Sequence, residues 1–451
     1  MKMTIILSEL SALLACEAPL NDCEVTATAI DSRKVELGSL FVALKGQSVD
    51  GHDYIASARK AGACAALVSS KQDDELPQLV VTDVVKAYGK IASYWRQQSN
   101  AKVVAITGSN GKTTVKEMVA AITKQCGSVI ATQGNLNNEL GVPLTLTRLN
   151  DFTDYAVIEM GANHTGEIAK LVAMAQPDVA LINNVAAAHL EGFGDINGVA
   201  SAKAEIYAGL STQATAIVNN DMPFIDDWQA VLKDKHIITF GIENDADITA
   251  HNLQLDPDAS HFMVKLDDEF HHINLPLPGL HNVANALAAI SVTKALGVPP
   301  AAMVTGLSSM TSVPHRLQLR VGVNGSHLLD DSYNANPGSY QKALQALTAF
   351  HSQHWLVLGD FAELGVTSES VHYQMGIDAH KAGITRLWTI GEQSQKASQA
   401  YGDGAQHFDS VSELENQLKS ELKDGVTCLI KGSRFMQLDK LADALAVVGE
   451  H

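Results

Sequence analysis

The sequence predicts an α/β protein of three domains built on mostly parallel sheets. Three observations carry this reading. Short apolar runs alternate with helix-like segments along most of the 451 residues. One such run, residues 103–106, passes through a glycine turn directly into a helical pattern. Polar groups with binding chemistry recur just after the runs, at the strand ends where open parallel sheets hold ligands. The length also fits about three domains.

The first section spans residues 1–98. Its opening carries a lysine, an apolar stretch and Leu-Leu-Ala-Cys, the outline of a lipoprotein signal. Ser8, Glu9 and Ser11 interrupt that stretch, so an amphipathic helix over 7–14 is expected instead. Strands are expected at 40–44, 65–68 and 79–81, with helices at 54–61 and 87–98. Polar Gln97-Gln98-Ser99-Asn100 marks the boundary.

The central section, 99–313, opens with Val-Val-Ala-Ile-Thr-Gly-Ser-Asn-Gly-Lys-Thr-Thr. The apolar β-branched run predicts a buried strand. Residues 114–124 predict a helix with Val115, Met118, Val119 and Ile122 on one face. Gly108 and Gly111 allow positive φ and close backbone approach to a ligand. Amides at the helix start would face an anion. Lys112 could reach outer phosphates and the Thr113 hydroxyl could bind Mg²⁺. The spacing is Gly-x-x-Gly-Lys-Thr, with Ile106 where the common phosphate loop has its first glycine. The alternative is a plain strand-to-helix turn with an exposed lysine. Strand, glycines, Lys-Thr and helix in the required order favour the cradle.

Further strands are expected at 155–160 and 179–182, so that Thr107, Glu159 and residues 184–189 fall at one sheet edge. A carboxylate ending an apolar strand, as Glu159 does, is costly unless paired or bound to a metal. Beside the loop it reads as a Mg²⁺ ligand, with a salt bridge as the alternative. A lone histidine such as His189 is more often structural, though its place beyond a strand favours function. Lys203, by its chemistry alone, reads as an exposed helix lysine. The amide-rich run Asn135, Asn137, Asn138 suits sugar, peptide or phosphate oxygens, or else is a turn.

The last section, 314–451, begins at Pro314-His315-Arg316. It alternates strands at 355–358, 387–390 and 426–430 with helices, a dinucleotide-fold-like pattern without G-x-G-x-x-G. Arg316 would clamp phosphate and Asp331 would accept ribose hydroxyls, unless the segment is only hinge and turn.

Composition excludes other classes. The net charge is −18 and the pI about 5.3, with no basic stripe, so nucleic acid is not expected as a partner. Five scattered cysteines with no C-x-x-C suggest a reduced, cytoplasmic protein. Residues 295–314 are uncharged, but their prolines and hydroxyls argue against a membrane span. No Ser-His-Asp or Cys-His nucleophile set is found.

Taken in order, the motifs resemble the bacterial Mur ligases over nearly the whole chain. They are Asp31-Ser32-Arg33, Gly108 to Thr114, Gly134-Asn135-Leu136-Asn137-Asn138, Glu159-Met160-Gly161-Ala162, Asn184 to His189, Ala202-Lys203, Pro278-Gly279-x-His281-Asn282-x-x-Asn285, His315-Arg316, Asp331 to Pro337 and Lys431-Gly432-Ser433-Arg434. The resemblance implies a UDP-sugar domain, a central P-loop-type ATPase and a C-terminal Rossmann-like domain. It implies a step of peptidoglycan synthesis. ATP activates the terminal carboxylate of UDP-MurNAc-tripeptide as an acyl phosphate, and the amine of D-Ala-D-Ala attacks it. Residue by residue, it implies that Ser32 and Arg33 lie near the UDP-sugar and that Gly108, Ser109, Asn110, Gly111, Lys112, Thr113 and Thr114 cradle ATP. It implies Thr113 and Glu159 on one Mg²⁺, and His189 with a carbamylated Lys203 on a second. Asn282 would meet adenine, Asp331 and Asn334 the ribose and base, and Arg316 a phosphate. The chain would act as a monomer. A sister ligase adding the third amino acid is the nearest alternative, but its Asp-Asn-Pro-Arg-type motif is missing. A folylpolyglutamate synthase or a non-catalytic nucleotide sensor is more remote.

Overall fold

The computed structural model describes residues 3–46, 49–186, 190–256 and 258–447. Strands Ala27–Ala29, Ser39–Val42, Ala63–Val68 and Gln78–Val80 form a parallel four-stranded sheet in that order. The first helix is Leu7–Leu14, with Leu7 and Leu10 buried. Helix Val84–Gln97 is started by the Asp83 side chain, which accepts from the Lys86 amide. Its buried face carries Val84, Ala87, Tyr88, Ile91, Ala92 and Trp95.

That face is not confined to the first unit. The Trp95 indole donates to the Leu149 carbonyl at 2.9 Å. The Tyr88 hydroxyl meets Thr28 at 2.8 Å, and Thr28 meets Thr147 at 2.7 Å. A single apolar core runs from Met3 to Leu232, across both units. Truncating a buried tryptophan at such a place costs about 3–5 kcal/mol.

The central sheet has nine strands. Val129–Ala131, Tyr155–Glu159, Lys102–Thr107, Val179–Ile182, Thr215–Asn219, His236–Gly241 and Ile248–Leu255 are parallel neighbours in that order. Two further strands depart from the mainly parallel expectation: Ser260–Leu266 and Glu269–Leu275 extend the sheet antiparallel. The reason is local. Phe262, Val264 and Leu266 alternate inward, and Asp267 and Asp268 both take positive φ (49° and 68°), the geometry of a two-residue hairpin turn. The register pairs Ile106 with Glu159 and Thr107 with Ile182, so three carboxyl ends stand side by side.

The last unit is a six-stranded sheet in the order Gln318–Val321, His327–Asp331, Val426–Lys431, Gln353–Gly359, Arg386–Ile390 and Ala405–Phe408. Only the first pairing is antiparallel. Its two faces have cores of their own, separate from that of the other units. No helix of the described residues is long and apolar enough to cross a membrane.

Candidate active site at the strand ends

The glycine loop follows strand Lys102–Thr107 and feeds helix Lys112–Thr123, two residues earlier than the pattern alone suggests. Gly111 has φ +75°, and a Cβ there would lie 2.6 Å from Asn285 Oδ1 and 2.7 Å from Asn183 Nδ2. No side chain fits such a position. Amides hold the loop in shape. The Ser109 N–H donates to the Asn184 carbonyl and the Asn110 N–H to Asn184 Oδ1, both at 2.9 Å. Asn183 donates to the Asn110 carbonyl at 3.0 Å and to Asn285 at 2.9 Å.

Behind the loop sits a buried carboxylate. Glu159 accepts from the Thr113 hydroxyl and from the Asn137 amide, each at 2.8 Å. The donor set is oxygen-rich and hard, which suits Mg²⁺. Lys112 Nζ donates to the Gly108 carbonyl at 2.7 Å. Burial lowers its pKa; the Glu159 charge opposes that shift and Arg316 adds to it.

Lys203 is 3 % exposed, on helix Ile196–Ala208. The surface-lysine reading fails: burial first, and the Lys112 charge second, push its amine well below the usual lysine value. His189 lies outside the described residues.

The last unit closes over this edge. Arg316 Nη2 donates to the Thr113 hydroxyl at 2.9 Å. The segment around it is bent hard, with His315 at φ +60° and Leu317 at φ +48°. Two aspartates pin the bend: Asp330 meets His315 Nδ1 at 2.8 Å, and Asp331 accepts from the Leu317 amide at 3.2 Å. Asp331 is itself paired with the buried Lys431. Asn336 caps helix Pro337–Thr348 and donates to Asn110 Oδ1 at 2.8 Å. His281, at the start of helix Leu280–Ala295, is pushed down to about 4 by burial and then by Lys342.

The result is one cleft of about 750 Å³. Among the described residues expected to act, Ser109 to Thr114, Asn135, Asn137, Asn138, Glu159, Lys203, Asn282, Arg316, Asp331 and Asn334 line it. Gly108 shapes the turn from outside that lining, with φ +152°. Ser32 and Arg33 are not brought to this cleft. They form a turn in the first unit, where the Arg33 side chain is 86 % exposed and paired with Asp31. Sequence reasoning gave no role to Asn183, to Tyr333 or to Lys342. The Tyr333 ring lies under the guanidinium of Arg316 at 4.3 Å and of Arg434 at 5.4 Å.

Comparison with known proteins gives a consistent result. Residues 24–122 match the Mur ligase family catalytic domain, 106–293 the Mur ligase middle domain and 315–434 the Mur ligase glutamate ligase domain. The UDP-N-acetylmuramoyl-tripeptide–D-alanyl-D-alanine ligase of Escherichia coli (strain K12) is 44% identical over 446 residues, covering 98% of each chain. The protein of that name from Bacillus subtilis (strain 168) is 31% identical over 93% of each. A crystal structure of MurF from Acinetobacter baumannii superposes with a TM-score of 0.89 at 34% identity, covering 98% of this chain and 99% of that one. A Thermotoga maritima MurF ligase in complex with ADP gives a TM-score of 0.80 at 28% identity, over 93% and 96%. With identity of that order sustained from end to end, and a glycine loop, a buried carboxylate and an arginine of the last unit meeting in one cleft, the chain belongs to the Mur ligase family.

Proposed function

We propose that this chain is an ATP-dependent ligase that joins D-alanyl-D-alanine to UDP-MurNAc-tripeptide and so makes the pentapeptide precursor of peptidoglycan. The observation that carries the reading is the meeting of Lys112, Thr113, Glu159 and Arg316 at one sheet edge. The reaction has two displacements. The terminal carboxylate of the tripeptide attacks the γ-phosphorus of ATP and ADP leaves. The dipeptide amine then attacks the acyl carbon, phosphate leaves, and the amine gives up a proton as the amide forms.

Both nucleophiles belong to substrates, so the protein's part is to position and to balance charge. The loop amides from Ser109 to Thr114 receive phosphate oxygens at the helix start. Lys112 swings from the Gly108 carbonyl to the β- and γ-phosphates. Arg316 meets the same phosphates from the other unit. Thr113 and Glu159 would hold Mg²⁺, which neutralises phosphate charge when bound. Lys203, buried with its amine depressed, is suited to carbamylation, because only a neutral amine adds CO₂; with His189 it would serve a second ion. Asn282 lies where adenine would sit, and Asp331 and Asn334 where the ribose would. Asn135, Asn137 and Asn138 would meet the peptide with the amide atoms left free by the bonds of Asn137 to Glu159 and of Asn138 to Gly141, while Ser32 and Arg33 would serve the distant UDP-sugar end. Domain limits near residues 98 and 313 belong to the same reading. Five free cysteines and the use of ATP fit action in the cytoplasm.

The test is phosphate release from ATP. It should require both UDP-MurNAc-tripeptide and D-Ala-D-Ala; release that ignores either one would refute the reading.

A further inference from the structure

The second substrate is a zwitterion whose amine reacts and whose C-terminal carboxylate does not. Something in the cleft must answer that carboxylate. Among the described residues, the cleft presents six lysine and arginine side chains: Lys112, Lys203, Lys342, Lys431, Arg316 and Arg434. Three are paired with groups of the protein, and a fourth is buried. Lys112 lies on the glycine loop, bonded to the Gly108 carbonyl. Lys203 is buried beside it. Arg316 is on Thr113. Lys431 is fully buried against Asp331. Lys342, on helix Pro337–Thr348, lies near His281 and is not one of the cations over the Tyr333 ring.

Arg434 differs. Its side chain is 51 % exposed, and Asp439 takes only its Nη1, at 2.6 Å. A guanidinium has five donors, so an open edge is left. Its position is fixed on two sides. The Tyr333 ring supports its face, and the neighbouring Ser433 hydroxyl accepts from the Ala362 amide at 2.9 Å, tying it to another wall of the cleft. Distance fits as well. Arg316 and Arg434 share the Tyr333 ring at 4.3 and 5.4 Å, so their guanidinium carbons are at most about 10 Å apart. An extended dipeptide spans roughly 7 Å.

Resting on the ligase reading above, we infer that Arg434 is a specificity residue for the second substrate: its guanidinium receives the C-terminal carboxylate of D-alanyl-D-alanine while the amine reaches back toward Arg316 and Thr113. The experiment compares D-alanyl-D-alanine with D-alanyl-D-alaninamide, which keeps the amine and lacks the charge. The parent enzyme should use the amide with a kcat/KM lower by about 30-fold or more, the scale of a lost charged hydrogen-bonded pair. Arg434→Ala should lose a similar factor for the acid, remain unchanged for the amide, and keep its KM for ATP. Arg434→Lys should recover only part, since it cannot form the two-pronged contact. A parent that treats acid and amide alike overturns the inference, and that arm needs no variant to fold. So does an Arg434→Ala enzyme that still prefers the acid by the parental factor. A parent with no turnover on D-alanyl-D-alanine at all refutes the ligase reading itself.

Discussion

Arg316 and Thr113 are 203 positions apart in the chain, yet the guanidinium donates to the hydroxyl at 2.9 Å, and that hydroxyl donates in turn to Glu159. A cation from the last unit thus rests on the loop that the proposed reading gives to the nucleotide's phosphates. Arg316→Ala should raise the KM for ATP and lower kcat/KM by about 100-fold or more. The free variant should also scatter X-rays as a more open particle, because the Val313-Pro314 junction then has one tether fewer. Scattering curves and kinetics that match the parent would remove Arg316 from both roles.

Lys112→Ala is expected to reduce ligation by about 1,000-fold or more while the circular dichroism spectrum and melting temperature stay near those of the parent. The side chain ends on loop carbonyls, so its loss removes charge from the phosphate site without opening a core. Near-parental turnover at saturating ATP would show that the loop is not the reaction centre.

The buried amine of Lys203 leads to a spectroscopic expectation. Its pKa lies well below that of an ordinary lysine, so the neutral form persists to lower pH and is lost only on acidification through that depressed value. Protein given ¹³C-bicarbonate near neutral pH should show a carbamate carbon resonance that Lys203→Ala lacks. Activity should fall with the alanine variant and stay low in Lys203→Arg, because guanidinium cannot become an anionic oxygen ligand. A small carboxylic acid should restore part of the alanine variant's rate. An arginine variant as active as the parent would leave Lys203 a mere structural charge.

His281 is held down to about 4, against 6.5 in a free chain. The unfolded state therefore takes up a proton between those values and the folded state does not. Its contribution to stability is complete above pH 6.5 and drains away as the pH falls toward 4, by about 3 kcal/mol. Urea titrations at pH 7 and pH 4.5 should show a smaller loss for His281→Asn than for the parent. Equal losses would mean that this ring does not titrate out of range.

Much of the site could be read from the chain because strand, glycine turn and helix are local patterns, and polar groups at strand ends need no long-range knowledge. The burial of Lys203 was missed although a signal existed. Val199, Ile206 and Tyr207 stand at i−4, i+3 and i+4 from it, all buried, so the lysine sits on the helix's inner face. The antiparallel hairpin was passed over because its turn is Asp-Asp rather than a glycine pair. The work of Asn183 could not be read, since its partners at Asn110 and Asn285 are brought to it only by the fold. The Tyr333 support for two arginines likewise joins residues far apart in the chain.

The core that runs unbroken from Met3 to Leu232 bears on how the molecule comes apart. Cooperative melting follows continuous apolar packing, not the count of sheets. Calorimetry of the free protein should therefore resolve two transitions: one for the first and central sheets together, and one for the last, which meets them through polar contacts such as Arg316 to Thr113 and Asn336 to Asn110. A protease cutting near residue 313 would release a piece able to keep its own two-faced core. A cut near residue 98 would instead strip the cover from Tyr88, Ile91 and Trp95, leaving an apolar stripe that draws other chains to it.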